Sequence, residues 1–373
     1  MSTRRSLPKA KPHIPEEDLS PLLDDFAAIL RSGQLTRGEY LDRFESAFAV
    51  CVGTKHAVGL SSGTAPLEIA LRHWNVEDGE VIVPTNTFIA SANAAILAGG
   101  RPVLADISPP TLSSTLREIR ERVTARTRAV VAVHIAGLID PEIDDLAAFC
   151  REHDLFLLED AAHAHGASLG GRKAGSLGDA AGFSFFPTKV ITSGEGGMLT
   201  TDDDQLAAFA RSFRCHGLAD QGRDLVRLGS NYRLPELSAA LGLKQLQRLD
   251  EFVHERSRLA ALYADHLRSL PEIQLFLPIA GQVHPYYKFP ILLPEGCDRQ
   301  QVTAQLRESG VPIGSVYWPP IHLEPFYRER FGYREGDFPV AEELLHRTIT
   351  LPLFVGLSDA DVEHVCHSLR EIL

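Results

Sequence analysis

Short apolar runs alternate with helical patterns through the first half of the chain. The helical patterns, with apolar residues at helical spacing, lie over 64–74, 87–98 and 141–153. The apolar runs predict strands over 80–84, 102–107, 128–135, 155–160, 180–186 and 197–201. Strands that are apolar throughout and alternate with helices are typical of a parallel sheet covered on both faces. The pattern therefore predicts an α/β domain with a mostly parallel central sheet flanked by helices.

The pattern changes after Pro235. One long helical stretch is predicted over 236–269, and it links the first domain to a second. The elements then become sparser, with strands near 286–293 and 311–317 and helices over 299–309 and 358–373. Ser358 is a good N-terminal cap for the last helix. We predict a large domain over 1–255, including the N-terminal segment and the linking helix, and a smaller α+β domain over 256–373.

Composition and charge exclude several classes of protein. The chain has 373 residues and a formal net charge of −12, which gives no general attraction to nucleic acid or to an anionic membrane. No apolar run approaches the roughly 18 residues of a membrane span. Five widely spaced cysteines form no Cys-x-x-Cys pair, and the basic start of the chain lacks an apolar signal segment. We expect a cytoplasmic protein with reduced thiols.

Two residues in the first domain are candidates for covalent chemistry. Asp160 ends an apolar strand, and Lys189 follows another strand in a turn rich in Gly, Ser and Thr. Pyridoxal 5'-phosphate (PLP) needs an amine that forms a Schiff base with its aldehyde and a carboxylate that keeps its pyridine nitrogen protonated. Asp160 and Lys189 are the residue types that this cofactor requires.

Further residues fit around such a cofactor, although each also has an ordinary structural interpretation. Gly63 and Thr64 precede a helix, where backbone N–H groups bind phosphate, and they are equally a plain helix cap. Phe88 follows a strand end, where it would stack on a ring or fill a core. Ser184 would contact a phosphate or face solvent. His163 could contact the cofactor ring, and with Asp160 and His165 it forms only a weak metal pattern, so we predict no metal.

The order of these residues resembles the DegT/DnrJ/EryC1/StrS family of PLP-dependent sugar aminotransferases, which have the aspartate aminotransferase fold (fold type I). The similar segments extend over most of the chain. They are Ser32–Gly38, Ser62–Thr64, Val83–Phe88, Glu159–His165, Ser184–Lys189, Gly194–Gly197, Asn231–Glu236 and Tyr317–Leu323.

The resemblance implies a role for each candidate residue. Lys189 would form the Schiff base, Asp160 would pair with the pyridine nitrogen, and Phe88 would stack on the ring. His163 would lie beside the ring hydroxyl. The residues that would hold the cofactor phosphate are Gly63, Thr64, Ser184 and, from the neighbouring subunit, Asn231. A homodimer with shared active sites follows from the last assignment.

The resemblance also implies an aminotransferase that uses an amino acid donor, L-glutamate, and a keto sugar acceptor. The form of the segment after Lys189 favours a nucleotide-linked 4-keto-6-deoxyhexose. A keto-cyclitol or a 3-keto sugar is the alternative acceptor. A PLP-dependent sugar dehydratase is disfavoured, because in such members a histidine replaces the lysine, and a non-catalytic regulatory homologue is disfavoured by the complete cofactor set. Arg233 or His322 is expected to bind the donor carboxylate.

Overall fold

The computed structural model describes residues 7–219 and 224–373. The strands within these residues are β1 (His56–Leu60), β2 (Glu80–Pro84), β3 (Arg101–Ala105), β4 (Thr127–Val133), β5 (Phe156–Asp160), β6 (Ser168–Leu169), β7 (Arg172–Lys173), β8 (Ala180–Ser184), β9 (Gly197–Thr201), β10 (Gln274–Leu275), β11 (Gln282–Val283), β12 (Phe289–Leu292) and β13 (Thr348–Leu351). The helices are α1 (Glu16–Ser32), α2 (Glu39–Val52), α3 (Thr64–His73), α4 (Ala90–Leu97), α5 (Leu116–Arg120), α6 (Ile143–Glu152), α7 (Asp204–Phe213), α8 (Glu236–Leu246), α9 (Leu249–Leu267), α10 (Arg299–Glu308), α11 (Pro325–Phe331), α12 (Pro339–Arg347) and α13 (Asp359–Ile372).

The main sheet has the strand order β1-β9-β8-β5-β4-β2-β3. Strands β8, β5, β4, β2 and β3 are mutually parallel, whereas β9 runs antiparallel to both β8 and β1. The predicted mostly parallel sheet is therefore confirmed. In a sheet of this kind, the carboxyl ends of the parallel strands meet at one edge, where ligands bind.

Helices cover both faces of the main sheet. On one face, α3, α4 and α7 contribute residues such as Ile69, Ala94 and Ala210 to one hydrophobic core. On the other face, α2 and α6 contribute Phe44 and Leu146 to a second core. The two cores explain why the strands are apolar on both sides, as in β2, where every residue is buried.

The C-terminal part of the chain contributes to two different cores. Strands β10, β12 and β13 form a small sheet, and Tyr263, Leu306 and Leu369 pack with it in a third core. The segment 316–345 instead packs against the core of the main sheet, as Tyr327 and Leu345 show. A domain boundary at residue 255 stays a prediction.

Two predicted elements are wrong. The helix predicted over 236–269 is divided between α8 and α9, because the backbone leaves helical geometry at Arg248, whose guanidinium bonds to Asp18. The strand predicted over 311–317 is absent from the described structure apart from one bridge between Gly314 and Thr350. The carbonyl of Ser315 accepts a hydrogen bond from a lysine side chain instead of pairing with a strand.

The last helix agrees with its prediction in detail. Ser358 Oγ accepts a hydrogen bond from the Asp361 N–H, and the Asp361 carboxylate accepts one from the Ser358 N–H. Within residues 7–219 and 224–373, no helix is long and apolar enough to cross a membrane.

Candidate active site

A cavity of about 380 Å³ opens at the carboxyl edge of the main sheet. Its lining comes from both halves of the chain, which meet over the ends of β5 and β8. Seven of the eight residues predicted for the site line it, and they are Gly63, Thr64, Phe88, Asp160, His163, Ser184 and Lys189. The sheet topology thus places residues that lie far apart in the sequence around one space.

Asp160 is the last residue of β5 and is only 7% exposed. Its Oδ2 accepts a 2.5 Å hydrogen bond from Ser91 Oγ, and its Oδ1 accepts a 3.2 Å bond from the Ala162 N–H. Thr87 Oγ1 lies 2.6 Å from Ser91 Oγ and donates to it, since the serine proton is engaged by the carboxylate. These bonds hold the carboxylate in place at the floor of the cavity.

The preceding residue, Glu159, anchors the end of β5 through the hydrogen bonds of its side chain. Successive strand residues point to opposite faces of a sheet, so Glu159 points away from the cavity side. Its buried carboxylate accepts hydrogen bonds from the N–H groups of Gly175, Leu177 and Gly178, at 2.7 to 2.9 Å. His134 Nε2 lies 2.8 Å from the same carboxylate. A buried carboxylate with this many partners anchors the strand end.

Lys189 lines the same cavity as Asp160. Burial lowers the pKa of Lys189 to about 8, and the negative charge of Asp160 opposes that shift. Its Nζ lies 4.5 Å from the centre of the Tyr287 ring. Tyr287 is in turn oriented by Thr188, whose Oγ1 lies 3.0 Å from the tyrosine Oη. At pH 7 about a tenth of this amine is neutral, far more than for an ordinary lysine, which favours Lys189 as a nucleophile and base.

His163 is a buried, neutral histidine at the edge of the cavity. Its Nδ1 accepts a 3.2 Å hydrogen bond from the Ala136 N–H, so the ring proton is on Nε2, which donates to Tyr317 Oη at 2.9 Å. Burial and the nearby charge of Lys189 hold the pKa of His163 well below its ordinary value. The imidazole is therefore a fixed hydrogen-bonding group here and carries no charge.

The start of α3 forms a bare helix N-terminus inside the cavity. Gly63, at the cap position, has no side chain to cap the helix, and Ser62 Oγ accepts only a long 3.4 Å hydrogen bond from the Ala65 N–H. A Cβ atom at Gly63 would lie 2.5 Å from the Cβ of Ser184. The N–H groups at the start of α3, the hydroxyls of Thr64 and Ser184 and this close approach suit a phosphate dianion.

The remaining two predicted residues differ in position. Phe88 lines the open side of the cavity, is 56% exposed and has its ring centre 5.8 Å from that of Tyr317. Asn231 is exposed and is not among the residues that line the cavity of its own chain. The roles predicted for both residues stay predictions.

Several lining or supporting residues were missed from the sequence. Ser91 lies on α4 and supports Asp160 from behind, and nothing in its local pattern marks it. Tyr287, Lys288 and Tyr317 come from the C-terminal half and also line the cavity. Tyr287 and Lys288 lie near the start of the strand predicted over 286–293. Two adjacent polar side chains in an otherwise apolar strand could have marked them as candidate site residues.

The expectation for the donor carboxylate is wrong for His322. Its ring is fully buried, with Nδ1 2.7 Å from Thr85 Oγ1 and Nε2 3.0 Å from Glu342 Oε1. Neither His322 nor Arg233 lines the cavity. His322 fills the core beside the segment that carries Tyr317, so its position is structural.

The histidine pair that suggested a metal is also separated by the structure. His165 packs against the rings of Phe183 and Phe185 and, unlike His163, does not line the cavity. Across the two described stretches of the chain, no group of three His, Cys, Asp or Glu residues is placed to hold a metal ion.

The arrangement fits PLP. The start of α3 suits the phosphate of the cofactor. The buried carboxylate of Asp160 suits its ring nitrogen, and the amine of Lys189 suits its aldehyde. These three features are the chemical requirements of a PLP enzyme, and they come together in one cavity of suitable size.

Comparison with known proteins agrees with this geometry. The model of the DegT/DnrJ/EryC1/StrS aminotransferase family matches residues 19–370. GDP-perosamine synthase of Caulobacter vibrioides is 38% identical over 90% of this chain and 91% of its own length. The structure of PseC, an aminotransferase of Helicobacter pylori involved in pseudoaminic acid biosynthesis, superposes with a TM-score of 0.92 at 28% identity and covers 99% of both chains.

A further solved structure, DesI in the presence of its TDP-sugar product, has a TM-score of 0.89 at 33% identity and covers 99% of this chain and 93% of its own. Similar solved structures also include one enzyme in both its PLP and its pyridoxamine phosphate (PMP) form. The predicted fold type, cofactor and enzyme class are confirmed. The chain belongs to the DegT/DnrJ/EryC1/StrS aminotransferase family and is a PLP-dependent aminotransferase.

Proposed function

We propose that this aminotransferase moves the amino group of L-glutamate to a nucleotide-linked 4-keto-6-deoxyhexose. The observation that carries the reaction type is the meeting of Lys189, Asp160 and the bare N-terminus of α3 in one cavity. The names of similar proteins support the acceptor class, since one makes a GDP-linked amino sugar and another is described with a TDP-sugar product.

The residues of the chain divide the work as follows. Bound PLP supplies an electron sink for the carbanion at the donor's α carbon. Lys189 is partly neutral because burial lowers its pKa to about 8. It takes the proton from the α carbon of the donor and then donates it to the cofactor. Asp160, held by Ser91, provides the carboxylate that keeps the pyridine nitrogen protonated.

The carbon that receives the amine is assigned from one segment. Lys189 is followed by the sequence Val-Ile-Thr-Ser-Gly-Glu-Gly-Gly, and this form resembles that of members that aminate carbon 4. Glu195, within this segment, lines the cavity, which supports a contact with the acceptor. A 3-keto sugar or a keto-cyclitol is the alternative acceptor.

The test is a panel of acceptors mixed with the PMP form of the enzyme. The return of PLP absorbance reports transfer. We expect a nucleotide-linked 4-keto-6-deoxyhexose to restore it, and the free keto sugar to do so far less well. Restoration by a keto-cyclitol alone, with every nucleotide sugar inactive, would overturn the substrate class and leave the aminotransferase reaction intact.

We also propose a homodimer with shared sites. Asn231 is exposed outside the cavity of its own chain, and three apolar side chains close to it in sequence are exposed as well. They are Leu225 (71%), Val226 (54%) and Leu228 (82%). Exposed apolar residues grouped in this way are typical of an interaction surface. A second subunit seated there would bring Asn231 to the phosphate end of the partner's cavity.

The proposal includes a cytoplasmic location. All five cysteines are free, and Cys150, Cys215 and Cys366 are buried, which is usual in a reducing compartment. Fractionation of the native cells with an antibody against the chain tests this location.

A further inference from the structure

A second lysine, Lys288, lines the same cavity as Lys189, and the reaction described above leaves it without a role. It directly precedes β12. Its Nζ lies 4.5 Å from the centre of the Tyr317 ring and 5.7 Å from that of Tyr287. Lys189 Nζ also lies 4.5 Å from the centre of the Tyr287 ring, so both amines lie close to the same aromatic side chain.

The ammonium group of Lys288 is only partly satisfied by protein. One of its three N–H groups donates a 2.7 Å hydrogen bond to the Ser315 carbonyl. Burial, together with the positive charges of Lys189 and Lys9, lowers the pKa of Lys288 to about 7. Within the described part of the chain, Lys288 forms no ion pair with a carboxylate. Buried charges are normally paired, so this amine is suited to an anion that arrives with a ligand.

The other charges of the cavity determine which anion that is. The cofactor phosphate belongs at the start of α3, beside Gly63 and Ser184. Asp160 and Glu195 are negative and repel a carboxylate, and His163 is neutral. Among the lining residues, Lys288 is therefore the amine that remains once Lys189 is engaged by the cofactor. A carboxylate that binds beside it favours its charged ammonium form.

The amino donor supplies the matching anion. Every α-amino acid carries a carboxylate on the carbon that loses its proton to Lys189. We propose that Lys288 binds the α-carboxylate of the amino donor and thereby directs the donor's Cα–H bond toward Lys189. The inference rests on the proposed function and deepens it, because it assigns a donor subsite within the cavity that His322, buried in the core, does not provide. A charge-assisted hydrogen bond between the ammonium and the carboxylate would also fix the orientation of the bound donor.

The test uses the donor half-reaction of the PLP-loaded enzyme, with no acceptor present. A panel of L-amino acids first identifies the donor that converts the wild-type enzyme to its PMP form fastest, and its half-saturating concentration is then measured for Lys288→Met. We expect that concentration to rise about 10- to 100-fold, as for the loss of a hydrogen bond between charged groups. Lys288→Arg keeps the charge and should restore part of the affinity.

Three controls separate donor binding from a general structural effect. Lys11→Met removes an exposed lysine and should leave the half-saturating concentration unchanged. The PLP dissociation constant of Lys288→Met should stay within about threefold of wild type. The acceptor half-reaction, started from the PMP form, should change far less than the donor half-reaction. If Lys288→Met does not fold, Lys288→Gln is the second neutral variant.

A change on the substrate side completes the test. 4-Aminobutyrate keeps the side-chain carboxylate of glutamate and lacks the α-carboxylate. The preference of the wild-type enzyme for L-glutamate over this amine should largely disappear in Lys288→Met. An unchanged preference, or equal losses in the donor and acceptor half-reactions, would overturn the assignment. Because the donor half-reaction needs no acceptor, an error in the proposed sugar does not affect this result.

Discussion

Ser91 Oγ donates a 2.5 Å hydrogen bond to Asp160 Oδ2, and this bond joins the first turn of α4 to the end of β5 beneath the cavity. The serine is fully buried, so no water competes for the carboxylate oxygen. In the proposed site, this bond fixes the orientation of the carboxylate that pairs with the pyridine nitrogen. Ser91 acts through Asp160 and is therefore a positioning residue.

Replacement of Ser91 tests this positioning role. We expect Ser91→Ala to lower kcat/KM about tenfold, or ~1.4 kcal/mol, since a hydrogen bond to a buried charged group is lost. The pH profile of kcat should shift as well, which a purely structural effect would not produce. Ser46→Ala removes an exposed helix serine that bonds only its own helix, and it should be silent. Equal kcat/KM values for Ser91→Ala and wild type would show that Asp160 needs no support.

Asp160→Asn keeps the size of the side chain and removes its charge. We expect a loss of about 2–4 kcal/mol in transition-state stabilisation, as for removal of another preorganised electrostatic group. The variant should fold and still bind PLP, because the phosphate and aldehyde contacts are elsewhere. Single-turnover rates with the amino donor measure the loss. A fall in activity of less than about threefold would exclude Asp160 as the partner of the pyridine nitrogen.

The lowered pKa of Lys189 predicts how the apoenzyme takes up its cofactor. The neutral amine is the nucleophile, and a pKa near 8 in place of the ordinary 10.5 makes it available at lower pH. The rate of covalent PLP attachment should therefore rise with pH and level off above about 8. Stopped-flow absorbance measures this rate, and borohydride reduction followed by mass spectrometry locates the adduct. Lys189→Ala should give no adduct, and a rate that still climbs at pH 10 would contradict the assignment.

Gly63→Ala tests the phosphate end of the cavity. The new Cβ would lie 2.5 Å from the Cβ and 3.0 Å from the Oγ of Ser184, so either α3 or β8 must move. We expect PLP to bind at least about tenfold more weakly, a loss of ~1.4 kcal/mol. In a Ser184→Gly background the same substitution should cost less, because the atom that it meets is gone. Full PLP affinity in Gly63→Ala would show that this approach is not part of the phosphate site.

Mixed dimers test the shared site. Lys189→Ala and Asn231→Asp subunits should each be inactive alone, the second because its carboxylate faces the cofactor phosphate of the partner. A heterodimer combines the intact Lys189 of one subunit with the intact Asn231 of the other in one of its two sites. Activity should therefore reappear on mixing after partial denaturation and refolding. Heterodimers that are detected by native mass spectrometry and remain inactive would refute the composite site.

Much of the fold could be predicted because the main elements have strong local patterns. Strands β2 and β9 have the predicted bounds, and α3 differs by one residue at its end. The break between α8 and α9 was missed because Arg248 leaves the helix for Asp18, which lies 230 positions away in the chain. Local periodicity carries no information about such a partner.

The sequence by itself determined the sheet, the family and the chemically distinctive residues Asp160 and Lys189, since each depends on a short segment whose residues act together. Only the tertiary structure decided what surrounds them. Ser91 reaches Asp160 across the sheet edge, and Lys288 and Tyr317 enter the cavity from the C-terminal half. It also showed that His322 belongs to the core. The packing of strands and helices determines which side chains meet in a buried contact. The local sequence around each residue does not reveal a partner that lies far away in the chain.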